Sequence, residues 1–83
     1  MARTGQPAVR RVASVERAFA VLDALSDGAE LGTNEIARRT GINVSTVSRL
    51  LATLASARFV EHVQDTGRYR LSLRLIELGY AVL

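Results

Sequence analysis

Thr33-Asn-Glu-Ile-Ala-Arg-Arg-Thr-Gly-Ile-Asn-Val-Ser-Thr-Val-Ser-Arg-Leu-Leu51 reads as two helices joined by one tight turn. Ile36, Ala37 and Thr40 repeat at helical spacing, and Gly41 then interrupts. A second apolar stripe follows at Val44, Val47, Leu50, Leu51 and Leu54, again in three- and four-residue steps. Ala37 is small enough to let two helices cross closely. Gly41, without a Cβ, can take the left-handed conformation that turns the chain. A small residue, a glycine four positions on and two spaced aliphatics (Val47 and Leu50) are the steric recipe of a helix-turn-helix.

Any helical hairpin needs a glycine and two apolar stripes, so the outward face of the second of these helices decides the matter. It carries Ser45, Thr46, Ser48, Arg49, Ala52, Thr53 and Ser56. A merely solvated face is usually filled with Lys and Glu, which favour helix and solubility. Short hydroxyls instead let a helix backbone sink into a major groove and serve phosphates or bases. Arg49 suits guanine O6/N7, and the absence of carboxylates is what a helix beside a polyanion requires. Duplex DNA is the expected partner.

The 83 residues are enough for one small domain, and 48% apolar content supplies a core. Cysteine is absent, which excludes disulfides, thiol catalysis and cysteine-ligated zinc. No apolar run approaches the roughly 20 residues that span a bilayer, so no membrane association and a cytoplasmic location are expected. The formal charge of +3 is unevenly placed. Arg3, Arg10 and Arg11 precede Ser14 without an acid, whereas eight arginines and eight acids balance in the remainder.

Residues 1–13 read as a flexible basic arm. Ser14 is expected to cap a first helix that runs to about Ser26, with Gly28 as its stop and a stripe of Val15, Ala18, Phe19, Leu22 and Leu25. Ala20, Val21 and Ala24 make this helix apolar over more than half its circumference. Leu31 and Gly32 form a short extended link. Thr33 or Asn34 should cap the second helix and Asn43 the third, which continues to about Ala57. Phe59–Val63 and Arg68–Leu71 read as strands, with turn chemistry at Asp65-Thr-Gly67 between them. Alternation places Tyr69 and Leu71 on one face of this hairpin, and Arg68 and Arg70 on the other. A helix-turn-helix followed by a hairpin is a winged helix, and its two wing arginines are expected to reach the backbone or the minor groove.

Ser72–Leu83 has a serine cap, then only Arg74 and Glu77 as charges. Leu73, Leu75, Ile76, Leu78, Tyr80, Val82 and Leu83 surround it. A helix apolar all round is buried on all sides, and a domain this small cannot cover it. A second chain, a further part of a longer protein, or both are therefore expected against it. The first helix carries a similar excess, so a homodimer through these two helices is expected. Such a dimer demands a pseudo-palindromic operator.

With these elements in order, the sequence resembles the N-terminal DNA-binding domain of the IclR family of bacterial transcription regulators. The resemblance rests on Ser14-Val-Glu-Arg-Ala18, Gly32-Thr-Asn-Glu-Ile-Ala37, Thr40-Gly-Ile42, Ser45-Thr-Val47 and Arg49-Leu-Leu-Ala-Thr-Leu54. It continues through Phe59-Val-Glu61, Thr66-Gly-Arg-Tyr-Arg-Leu71 and Leu75-Ile-Glu-Leu-Gly79. It implies a winged helix-turn-helix, dimeric on DNA, joined by a linker helix to a ligand-binding effector domain that this sequence lacks. Any small-molecule effector would act through that missing domain. Two departures stand out: Asn43-Val44 replaces the family's frequent Pro-Lys, and Ser48 replaces a frequent His or Tyr. Val44 is left to touch a thymine methyl or to pack inward.

The expected fold is mainly α with a small β-hairpin: a three-helix core, a two-stranded wing and a C-terminal linker helix. Residues 1–13 are its arm, 14–71 its DNA-binding domain and 72–83 its linker. Helix 44–57 is expected to read the major groove. The candidate DNA contacts are Asn34, Asn43, Val44, Ser45, Thr46, Ser48, Arg49, Thr53, Arg68 and Arg70, with no cofactor.

Other function classes fare worse. Asp65-Thr66-Gly67 matches the three-residue signature of aspartic proteases, but there it ends an apolar strand that shields paired carboxylates. Here Gln64 and Arg68 flank it in a turn. His62, the only histidine, has no nucleophile or companion ligands arranged around it. A winged helix used for protein or RNA contact would want exposed aromatics. Helix 44–57 has none, and Phe19, Phe59, Tyr69 and Tyr80 are mostly expected in the core.

Overall fold

Aliphatic side chains from three helices and one strand converge on a single dry centre. In a computed structural model that describes residues 10–83, they belong to α1 (Ala13–Ala24), α2 (Thr33–Thr40), α3 (Val44–Ser56), β1 (Val60–Val63) and the link between α1 and α2, with β2 (Arg68–Leu71) and α4 (Arg74–Tyr80) following. Val21, Leu25, Leu31, Ile36, Val47, Leu51, Leu54 and Val60 are buried, and no polar side chain is buried with them among the described residues. Each such aliphatic is worth roughly 1.5–3 kcal/mol at full burial. This is the winged helix-turn-helix expected from the sequence. The expected arm lies outside the described residues over 1–9, and Arg10 to Val12 lead exposed into α1.

The face that α1 buries differs from the expected stripe. Val21 and Leu25 are fully buried with Ala18, Leu22 and Ala24 packed around them, whereas Val15 and Phe19 stay 46% and 58% exposed. On a helix apolar over most of its girth, periodicity fits two overlapping stripes. Packing against α3 selects the one through Val21. Phe19 and Tyr80 are thus exposed, contrary to the expectation of buried aromatics, and Phe59 and Tyr69 are half-buried. Val44 is likewise 42% exposed, so the buried stripe of α3 begins at Val47.

Two expected caps are also corrected. The residue preceding α1 is Val12, whose carbonyl accepts from the N–H groups of Val15 and Glu16, so Ser14 lies inside the helix. Gly32 precedes α2 and its carbonyl accepts from Ile36 N–H, so neither Thr33 nor Asn34 caps it. In both cases the chain enters from an extended backbone without side-chain help. The Asn43 cap is present as expected: its Oδ1 accepts the Ser45 N–H at 2.8 Å.

Left-handed residues end both helices of the helix-turn-helix. Gly41 (φ 72°) closes α2 and donates its N–H to Ala37 at 2.9 Å. Arg58 (φ 67°) closes α3, flanked by bonds from Arg58 N–H to the Ala55 carbonyl and from Phe59 N–H to the Leu54 carbonyl. That pair of bonds is a Schellman ending, built here on a residue that carries a Cβ.

In the wing, β1 and β2 pair antiparallel with Glu61 opposite Arg70 and His62 opposite Tyr69. The link residue Leu31 joins them as a one-residue third strand, exchanging both backbone bonds with Tyr69 (3.0 and 2.8 Å). Leu73, not the expected Ser72, precedes α4, while the Ser72 Oγ accepts the Arg74 N–H and donates to the Arg58 carbonyl. No residue of α4 is buried, and Leu73, Ile76, Leu78 and Tyr80 are exposed.

Gly41→Ala should cost about 1 kcal/mol, because only the left-handed backbone opposes it and the added Cβ would meet nothing within 4 Å. Arg58→Gly should shift stability the other way, by up to about 1 kcal/mol. Urea unfolding of the two variants checks the pair. Equal stability of wild type and Gly41→Ala would show that the turn imposes no constraint.

Candidate nucleic-acid interface

The surface of α3 turned away from the core presents Ser45, Ser48, Arg49, Ala52, Thr53 and Ser56, all exposed, with Thr46 half-buried at its edge. Thr53 and Ser56 donate their hydroxyls to the carbonyls of Arg49 (3.1 Å) and Thr53 (2.8 Å). Their lone pairs remain free to accept. At the head of the helix, Asn43 Oδ1 takes both the N–H and the hydroxyl of Ser45 (2.8 and 2.6 Å). No acid occupies the first turn of α3. Its positive dipole end is therefore open to an anion.

Arg49 lies in the middle of this surface, and no carboxylate pairs with it among the described residues. Val44, in the first turn of the helix, is exposed, so of the two roles open to that residue the inward one is closed. Arg49, Thr46 and Thr53 border a groove between α3 and the N-terminal half of α1. Arg17 lies on the groove's opposite wall. Arg17 was not a candidate from sequence, because nothing local distinguishes it from any other charge on the solvent side of a helix.

The wing arginines differ from each other. Arg68 is exposed, has no carboxylate partner among the described residues, and borders a recess with Asn34, Glu35 and Arg38 at the head of α2. Arg70 bonds Glu61 on the paired strand at 2.9 Å and Glu30 before Leu31 at 3.3 Å. The hydrogen bond and charge of Glu61 come first, with Glu30 adding to them, and together they raise the Arg70 pKa above its ordinary value. Arg70 thus ties β1 to the link that precedes α2. The ten candidates therefore form two groups. Asn43, Val44, Ser45, Thr46, Ser48, Arg49 and Thr53 share one helix, and Asn34 and Arg68 share the recess beside the wing, with Arg70 held apart by its carboxylates.

Asp65, Thr66 and Gly67 form the exposed turn of the wing, with Gly67 N–H donating to the Val63 carbonyl at 2.8 Å. His62 stacks against Tyr69, ring centroids 4.8 Å apart. Among the described residues no three His, Cys, Asp or Glu side chains gather as a metal site would require.

Residues 14–64 match the IclR helix-turn-helix domain. The chain is 38% identical over 68 residues to the HTH-type transcriptional regulator KdgR of Dickeya chrysanthemi, an alignment covering 82% of this chain and 22% of that protein. It is 36% identical over 72 residues to XynR of Escherichia coli K12, covering 86% and 29% respectively. Among solved structures, an IclR family transcriptional regulator from Brucella abortus superposes with a TM-score of 0.82 at 31% identity, covering 99% of this chain and 32% of that one. A regulator from Alicyclobacillus acidocaldarius gives 0.83 at 37%, covering 88% and 30%. This chain spans about a quarter of the length of the curated relatives it matches.

Asn43→Ala should destabilise the domain by about 1 kcal/mol through loss of the cap, while Asn43→Asp, which keeps an acceptor, should not. Thermal unfolding compares them. An equal loss in both variants would mean that the amide group, not the cap, matters.

Proposed function

The chain belongs to the IclR family as a DNA-binding regulator domain, and on that premise we propose that it reads an operator with α3 in the major groove, as one half of a homodimer. The observation that carries the proposal is the acid-free, short-chained face of α3 with an unpaired arginine in its middle. Arg49 would take a guanine edge, with Ser45, Thr46, Ser48 and Thr53 beside it on bases and phosphates. Asn43 would present the helix N-terminus to a phosphate, and Val44 a methyl surface to thymine.

Arg68 and Asn34 would meet the backbone together beside the wing. Arg70 would act chiefly by holding the wing at its angle, since its charge is already met by Glu61 and Glu30. Residues 1–13 would add sequence-independent affinity as a basic arm. Residues 14–71 would be the DNA-binding unit and 72–83 the linker toward an effector domain. The much greater length of the relatives supports that division. An operator-reading regulator works in the cytoplasm, which is the location we assign. None of the described helices is long and apolar enough to cross a membrane.

The exposed Val15 and Phe19 of α1 and Ile76, Leu78 and Tyr80 of α4 support the dimer. Paired about a two-fold axis they would bury this surface isologously and turn two α3 helices to the same side. That arrangement calls for a pseudo-palindromic operator with half-sites about one helical turn apart, or a multiple of it.

Arg49→Ala should cost on the order of 1–3 kcal/mol of binding and relax preference at one position per half-site. Selection of sites from random duplex by wild type and variant reads this directly. A uniform loss on all sequences would make Arg49 a phosphate contact instead. For the dimer, sedimentation with a two-half-site duplex should give two chains per duplex. One chain that binds a single half-site as tightly as two would sink that reading.

A further inference from the structure

The groove between α1 and α3 is lined by two arginines and no acid, whereas most arginines of the described residues outside it are paired with a carboxylate. Arg17 and Ser14 line it from α1, Arg49, Thr46 and Thr53 from α3, and the remaining lining is apolar without a carboxylate. Arg11, Arg38, Arg39, Arg70 and Arg74 each face an acid. Arg17 and Arg49 face none among the described residues. Glu16, the neighbouring acid, is directed to Arg11 instead, at 3.6 Å. Two guanidinium groups bordering one cleft without an acid favour an anion there, and the Ser14 hydroxyl beside Arg17 is a further donor suited to phosphate oxygens.

We infer that Arg17 is a DNA-backbone anchor: it holds a phosphate of the strand flanking the groove that α3 enters, with the Ser14 hydroxyl as a supporting donor. The inference rests on the DNA-reading role proposed for α3 and extends the interface onto α1, which contributes none of the candidates named above. Its argument is one of placement. Thr46, Arg49 and Thr53 lie on the side of α3 that faces α1, so a duplex seated on them brings one backbone to the mouth of this groove. Arg49 reaches onward to a base, and Arg17, on the outer wall, is left with the phosphate. The contact would fix how deeply α3 sits without choosing sequence.

The test uses the 83-residue chain, a duplex it selects from a random pool, and a random duplex. Arg17→Ala should weaken both by the same factor and lower the slope of log affinity against log salt by about 0.9. The gap to wild type should then narrow about three- to fourfold between 50 and 200 mM salt. Arg17→Lys, which keeps the charge, should retain the slope. Single phosphates replaced by neutral methylphosphonates should include one whose replacement weakens wild type but not Arg17→Ala. Because Arg17 is exposed, thermal unfolding should match wild type. An unchanged slope, or a methylphosphonate profile identical in the two proteins, overturns the assignment. A loss confined to the selected duplex also overturns it, since Arg17 would then be a base reader. If wild type binds no duplex at all, the DNA reading itself fails and takes this inference with it.

Discussion

The turn between α2 and α3 is the constraint on which the rest depends. Gly41 takes a left-handed backbone that residues with a Cβ resist, and Asn43 starts the next helix two positions later. So short a connection leaves the two helices little freedom in their crossing. Ile36 and Val47, on either side of it, are both driven to zero exposure. With Val47 facing inward, the helical period leaves Ser45, Ser48 and Arg49 facing outward. The outward polar face of α3 is therefore a by-product of the packing.

What could be read from sequence follows from how narrow each pattern is. In α3 the apolar stripe and the polar face exclude each other, so helix, burial and candidate contacts were all legible. In α1 they overlap, and periodicity alone could not decide between Phe19 and Val21. Caps were legible only where a side chain does the capping, as at Asn43. At Val12 and Gly32 the backbone enters extended and no residue type announces it. The least legible features join residues far apart in sequence. The Leu31–Tyr69 bridge and the grip of Arg70 on Glu30 and Glu61 cannot be inferred from any local pattern. Arg58 in a left-handed conformation is hidden for the opposite reason, because the expected signal there is glycine or asparagine.

Charge shows the same contrast between composition and placement. Beyond residue 14 the acids and arginines balance. The balance is nevertheless local: α2 neutralises Arg38 and Arg39 with one carboxylate, Glu35, and the wing root neutralises Arg70 with two. Arg17, Arg49 and Arg68 are left without partners at the two recesses that border α3 and the wing. Screening extends about 8 Å at physiological salt, so these separate positive patches act at contact range. A near-neutral domain can in this way present a positive face.

Mechanically, α4 resembles a lever. It contributes nothing to the buried core and is fastened at one end, where the Ser72 hydroxyl links the Arg74 N–H to the Arg58 carbonyl and the Arg74 guanidinium stacks 5.5 Å from the Phe59 ring. Seven residues at 1.5 Å per residue give an arm of about 10 Å. A tilt of about 10° at the fulcrum swings its far end by about 2 Å on that length, without disturbing a single core side chain. Because the fulcrum is the carbonyl that closes α3, force applied at Tyr80 bears on the end of α3 before it reaches the wing.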